Sequence, residues 1–324
     1  MVRRNKKLPL LLIGALTLGC GEASAPAEEC SSGAECASGA CNDGRCVPGA
    51  GGAGGAAGAG GTASGGAAGS TGGAAGNSGS GGAVSGGSGG GFCSPNHDGV
   101  IDQNETPLAA GLAAKFLVSG PVSIASAGLA MGDGSKLWDF GAGLSGDHLV
   151  LVETQKLPGK WFTLKYPGAT YAARLSESVD LLGVFEVTSA ALLLRGVVSP
   201  ADGLTRTELS YNPPVAVLDF PLKEAKQWAT TSTVSGLAQG VLVNYSESYQ
   251  NHVDAHGTLK APYGEFPVLR TRAVLTRKVG VVTTVVRSYL FSAECFGTVA
   301  SFVAKDNATT NEVSEAAELR RLAP

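Results

Sequence analysis

Val268-Leu269-Arg270-Thr271-Arg272-Ala273-Val274-Leu275-Thr276 is the stretch that decides the architecture of this chain. Arg270, Arg272 and Thr276 stand two or four residues apart, opposite Leu269, Ala273 and Leu275 along most of the run. Side chains that alternate in this way belong to a strand with one face buried. Runs of similar composition, rich in Val, Thr and Tyr, lie on either side at Ala229–Val234, Val241–Tyr249, Val281–Phe291 and Thr298–Val303. Shorter runs precede them: Phe116–Val118, Leu137–Phe140, His148–Glu153, Trp161–Tyr166, Tyr171–Leu175, Leu181–Val187 and Leu192–Val198. Gly, Pro and Asp/Asn punctuate these every 8–14 residues or so, the spacing of antiparallel strands. Val313–Leu322 alone carries a helical stripe. The expectation is a mainly β fold, with one antiparallel sheet domain, a curved half-barrel or a sandwich, over residues 107–324.

Composition changes abruptly upstream. Of 48 glycines, 22 fall between Gly49 and Gly91. Residues 49–91 offer almost nothing to bury, so they read as a disordered Gly/Ala/Ser tether with an end-to-end distance of roughly 35–40 Å. The core must come from residues 92–324.

Residues 1–19 read as a signal peptide: Arg3, Arg4, Lys6 and Lys7 precede an apolar run from Leu8 to Leu18 that is too short to span a bilayer. Leu16-Thr17-Leu18-Gly19-Cys20 resembles the bacterial lipoprotein box, which implies acylation of Cys20. Gly21 after the cysteine implies outer-membrane sorting by the same resemblance. The alternative is ordinary secretion with a cut near Ala23-Ser24-Ala25. Without the four leader cations the balance is 20 basic against 27 acidic residues, or −7, which argues against a nucleic-acid partner.

Cys30, Cys36, Cys41 and Cys46 crowd residues 20–48 with glycines between them and almost no large apolar side chain. Two disulfides are the natural way to fix such a segment in an oxidising compartment, with zinc as the alternative. Lipobox, small Cys-Gly module and Gly-rich tract, in that order, resemble myxobacterial surface lipoproteins.

Residues 92–106 hold a second candidate site. With Ser94 as position 1, Asn96, Asp98, Val100, Asp102 and Glu105 fall at positions 3, 5, 7, 9 and 12, and Gly99 at position 6. This resembles the EF-hand or dockerin loop, in which a hard cation takes oxygen ligands; Val100 would offer its carbonyl and Glu105 both carboxylate oxygens to calcium. Ser in place of Asp at position 1 implies weak affinity. The alternative is an ion-free turn held by Asn96 and Asp98 on nearby backbone N–H groups. Cys93 and Cys295 lie outside the small module, each alone in its region, and are expected to form a bridge from the entrance loop to the end of the sheet; two buried thiols are the alternative.

Phe220-Pro221-Leu222, Trp228, Gly257-Thr258-Leu259-Lys260-Ala261-Pro262-Tyr263-Gly264-Glu265-Phe266, Leu269-Arg270 and Tyr289-Leu290-Phe291 form a series similar to that of uncharacterised secreted proteins of Gram-negative bacteria. Those proteins are similar in turn to periplasmic half-barrels of the lipoprotein-carrier type. The resemblance covers roughly residues 136–303, implies a fold with an apolar concave face, and transfers no catalytic residue.

Catalytic signatures are sparse. Gly86-Gly87-Ser88-Gly89-Gly90 lies in the tether, where no nucleophile elbow can form. Gly141-Ala142-Gly143-Leu144-Ser145-Gly146 has the letters of a dinucleotide fingerprint but precedes a strand, so it reads as a loop. His252, Asp254 and His256 would share one strand face and could hold zinc or iron for a hydrolase, although the strand is expected to turn at Gly257. The leading expectation is a non-catalytic, lipid-anchored protein of the outer membrane or cell surface. It would present a monomeric, calcium-clamped β domain to an apolar ligand or an envelope component.

Overall fold

The computed structural model describes Cys41–Asn42, Arg45–Cys46 and residues 93–177 and 179–324. The signal segment, Cys20, Cys30, Cys36 and the tether lie outside the described residues. The chain divides into Gly21–Gly87 and the remainder. In the first unit β1 (Cys41–Asn42) and β2 (Arg45–Cys46) pair antiparallel, with Cys41 opposite Cys46.

The larger unit contains β3 (Val100–Ile101), β4 (Ala113–Ser119), β5 (Val122–Ser123), β6 (Leu129–Ala130), β7 (Lys136–Asp139), β8 (His148–Gln155), β9 (Tyr171–Arg174), β10 (Leu182–Val187), β11 (Ala191–Val198) and β12 (Glu208–Asp219). It continues with β13 (Leu222–Lys223), β14 (Gln227–Ala238), β15 (Val241–Ala261), β16 (Gly264–Val279), β17 (Val282–Ala293), β18 (Gly297–Ala304) and β19 (Glu315–Leu322). Pairing runs β14-β12-β11-β10-β9-β8-β4-β19-β18-β17-β16-β15, and β15 pairs in turn with β14. The antiparallel sheet therefore closes on itself as a barrel-like domain, which leaves few open edges.

The long strands close because their alternation is strict. Register sets Glu247, Arg277 and Thr284 in one buried row, Tyr249, Leu275 and Val286 in the next, then Asn251, Ala273 and Ser288. In the first row Arg277 Nε donates to Glu247 Oε1 at 2.6 Å and the Tyr249 hydroxyl donates to Glu247 Oε2 at 2.5 Å, so the buried carboxylate is paired. Apolar packing fills the rest: Leu192, Leu209, Val234 and Val253 on one side, Trp138, Phe140, Phe291 and Phe302 on the other. The second group packs edge to face, Trp138 against Phe291 at 5.0 Å and Phe140 against Phe302 at 6.4 Å.

Three sequence expectations differ from the structure, and one strand was not anticipated. Trp161–Tyr166 is no strand: it is a coiled cover with a 3-10 turn at Thr163–Lys165. Phe162 and Tyr166 pack beside Ala172, Leu182, Val184 and Val198, and the Tyr166 hydroxyl donates to Leu209 O at 2.9 Å. Pro158-Gly159 and Pro167-Gly168 bracket the segment too closely for extension. Val313–Leu322 is not helical, because Glu315–Leu322 is strand β19, paired with β18 and β4. Sheet pairing outweighs the local stripe. Strand β15 does not turn at Gly257 but runs on to Ala261; a Cβ there would lie 1.9 Å from Lys136 O, so only glycine lets β7 pair alongside. Finally Glu208–Asp219 is a strand although Pro213 and Pro214 interrupt it. The register against β11 jumps between Leu194–Val215 and Gly196–Ser210, and both prolines sit in that jump, where no ladder N–H is needed.

Candidate functional site

Successive hairpins bring the Pro262-Tyr263 turn, between β15 and β16, and the Glu294-Cys295-Phe296 turn, between β17 and β18, to the same end of the barrel. Tyr263, Phe266 and Phe296 meet there with ring centroids 4.9–6.2 Å apart. Phe266 is buried, whereas Tyr263 and Phe296 are each 41% exposed. Together with Pro95, His97, Pro267, Glu265 and Glu294 they line a groove of about 260 Å³.

The far wall of the groove is the entrance loop. Cys93 is bonded to Cys295 with a Cα–Cα separation of 5.5 Å. Glu294 Oε2 accepts the backbone N–H groups of Asn96 at 2.8 Å and His97 at 3.0 Å. Cys295 N donates to Glu105 O at 2.7 Å. On its other flank the loop is pinned by β3, where Ile101 pairs with Leu222 and buries its side chain in the core. Three neighbouring attachments thus hold the loop against the β17–β18 turn, and β3 holds it to β13.

Within the loop Asn96 Oδ1 accepts the Asp98 N–H at 2.9 Å and Asp98 Oδ1 accepts the Val100 N–H at 2.8 Å, the bonds of a turn that closes without an ion. Glu105 Oε2 accepts the Asp102 N–H at 2.9 Å. The remaining carboxylate oxygens converge: Asp98 Oδ2 and Glu105 Oε1 lie 3.3 and 3.0 Å from one atom, Asn96 Nδ2. Asn96 Nδ2 donates to both, so the amide fills the point where these two carboxylates converge. Asp102 meets Glu105 through its backbone N–H, and among the described residues no group of three or more His, Cys, Asp or Glu side chains is assembled to hold a metal.

His252, Asp254 and His256 do not form a ligand set. A bulge between Val253 and Ala255 breaks the alternation at Asp254. The Asp254 carboxylate is taken by Arg270 Nε at 2.8 Å and Arg272 Nε at 3.4 Å. Arg270 also reaches Glu312 and Ser126 O and lies over the Trp138 and Tyr289 rings, a satisfied structural node. His256 Nδ1 pairs with Glu224 Oε2 at 2.9 Å. Residues 141–146 form a loop; Arg321 Nη1 donates to Ala142 O within it and to Phe140 O just before it, so that segment is structural too.

No protein-family model matches the chain, and no curated protein matches it. Among solved structures, the crystal structure of a "putative lipoprotein" from Parabacteroides distasonis aligns over 68% of this chain and 97% of its own, at 9% identity and a TM-score of 0.29. A likeness of that size carries no argument.

Sequence reasoning missed Glu294 and the exposed rings. Glu294 adjoins Cys295, which marked the neighbourhood, and Tyr263 and Phe266 stand in a motif read only for its fold. What gathers them is hairpin register, which local patterning does not reveal.

Proposed function

We propose that this chain is a non-catalytic binding protein of the cell envelope. In this reading it is exported, acylated at Cys20, displayed on the 49–91 tether as a monomer, and takes an apolar ligand in the groove of Tyr263, Phe266 and Phe296. The observation that carries the reading is the pair of half-open rings in a groove whose wall is fastened covalently and by Glu294. Exposed aromatic surface that stays open in the folded chain gains roughly 25 cal/mol per Å² when a ligand covers it. A concave apolar floor with a few polar groups at its rim is the usual form of a small-molecule site. Calcium, bound by Ser94, Asn96, Asp98, Val100 O, Asp102 and Glu105, would stiffen the wall that Pro95 and His97 form.

The neutral fluorophore N-phenyl-1-naphthylamine tests this. The wild type should give saturable fluorescence enhancement, and Phe296→Ala should weaken it by about tenfold, the loss of one ring's burial. Absence of saturable binding, or binding that Phe296→Ala and Tyr263→Ala leave unchanged, would overturn the assignment.

A further inference from the structure

The aromatic groove lies in an acidic setting. Its lining residues come from three stretches, 93–106, 261–269 and 292–304, and include no Lys or Arg. Those stretches carry five carboxylates, Asp98, Asp102, Glu105, Glu265 and Glu294, with His97 as their one histidine and again no Lys or Arg. On the strands that bear the groove, the nearest basic residues in sequence are Lys260, which pairs with Glu265 Oε1 at 3.2 Å, and Arg270, which is buried and held by Asp254 and Glu312. Lys115, Lys156 and Lys223 belong to neighbouring elements and line no part of the groove. Glu294 pairs with no basic side chain among the described residues, and both N–H groups that it accepts meet the same oxygen, Oε2.

The rings add to this field. Tyr263 and Phe296 are the half-open pair, and their planes stand at 61° to one another. The face of an aromatic ring carries the negative end of its quadrupole, so it attracts a cation. A neutral apolar ligand would cover the rings but take the Glu294 carboxylate out of water without a counter-charge, which is costly. An alkylated ammonium meets both demands, because its methyl groups pack on the rings while its charge faces the carboxylate. Aromatic surfaces with a neighbouring acid are a recurring way to hold such groups.

Resting on the reading of this groove as a ligand site, we infer that its ligand is an apolar organic cation, a quaternary or alkylated ammonium seated on Tyr263 and Phe296 with Glu294 as counter-charge. The test is calorimetric titration of the full chain carrying Cys20→Ser with choline and with 3,3-dimethylbutan-1-ol, the neutral isostere that has carbon in place of the ammonium nitrogen. Choline should bind at least about tenfold more tightly than the isostere. Phe296→Leu keeps an apolar side chain but removes the quadrupole, and Glu294→Gln removes the charge while its amide oxygen still accepts the two N–H groups. Each should cut the preference to about threefold or less. Phosphocholine separates two sources of the same group: choline the tighter assigns a free organic cation, as the excess of carboxylates predicts, and phosphocholine the tighter assigns a lipid headgroup. The inference is overturned if choline binds no more tightly than the isostere, or if both variants keep the full preference. Saturable binding of N-phenyl-1-naphthylamine without any preference for choline would remove this inference alone, whereas a chain that binds none of the three probes would remove the groove as a ligand site as well.

Discussion

Glu294 accepts the backbone N–H of Asn96 at 2.8 Å, across 198 residues of sequence. One carboxylate in a β turn thereby positions the loop that opens the domain. The neighbouring disulfide and the Cys295 N–H to Glu105 O bond act on the same loop, so the groove wall has covalent and hydrogen-bonded support together.

The disulfide closes a sequence separation of 202 residues, for which chain-entropy arguments give a ceiling of roughly 4–5 kcal/mol. Cys93→Ser with Cys295→Ser should lower the melting temperature by several degrees while the barrel persists. Non-reducing peptide mapping of the wild type should yield one linked pair of peptides. Alkylation of both cysteines in unreduced, denatured protein would contradict the bridge.

Calcium should raise the melting temperature, and Glu105→Gln should remove that rise, because the variant loses a carboxylate oxygen at the point where Asp98 Oδ2 also arrives. Affinity in the range of about 10⁻⁴–10⁻³ M is expected for such a loop. A wild type whose melting ignores millimolar calcium would leave the ion-free turn as the sole reading.

Arg277→Met should cost about 3–5 kcal/mol in urea unfolding, because it strands the Glu247 carboxylate, which is 0% exposed, inside the barrel. Replacing both partners by leucine should cost far less. Equal losses in the single and double variants would show that packing, not the uncompensated charge, governs this row.

Acid should destabilise the domain partly through Glu312. Burial alone would raise its carboxyl pKa, but hydrogen bonds from Arg270 and Ser126 outweigh burial and hold it below the ordinary value. A depressed folded pKa means that the unfolded chain binds the proton first as pH falls. The contribution is therefore complete above the ordinary glutamate range, about 4.3, and lost as pH descends through the folded value. Glu312→Gln should flatten the fall in melting temperature below about pH 5. An unchanged acid limb in that variant would contradict the role.

Between Gln227 and Ala304 the strands were legible in outline because alternation and β-branched composition agree there, as at Leu269, Ala273 and Leu275, although the extension of β15 past Gly257 and the strand at Glu315–Leu322 were not. Closure was not, since it depends on β14 pairing with both β12 and β15. The Trp161–Tyr166 cover failed for a related reason: buried Phe162 and Tyr166 mimic one face of a strand, while exposed Leu164 shows that no second sheet lies there. At the candidate site, cysteine arithmetic pointed to Cys93 and Cys295, and loop spacing to Asn96, Asp98 and Glu105. Asp254 misled, because a bulge that no local pattern announces turns its carboxylate onto Arg270.

Native mass spectrometry of the protein recovered from the membrane fraction is the decisive measurement for an acylated, ligand-carrying envelope protein. The expected species is a chain acylated at Cys20 that carries a co-purified apolar molecule, which Phe296→Ala removes. An unacylated chain, or a ligand retained unchanged by Phe296→Ala, would contradict that assignment.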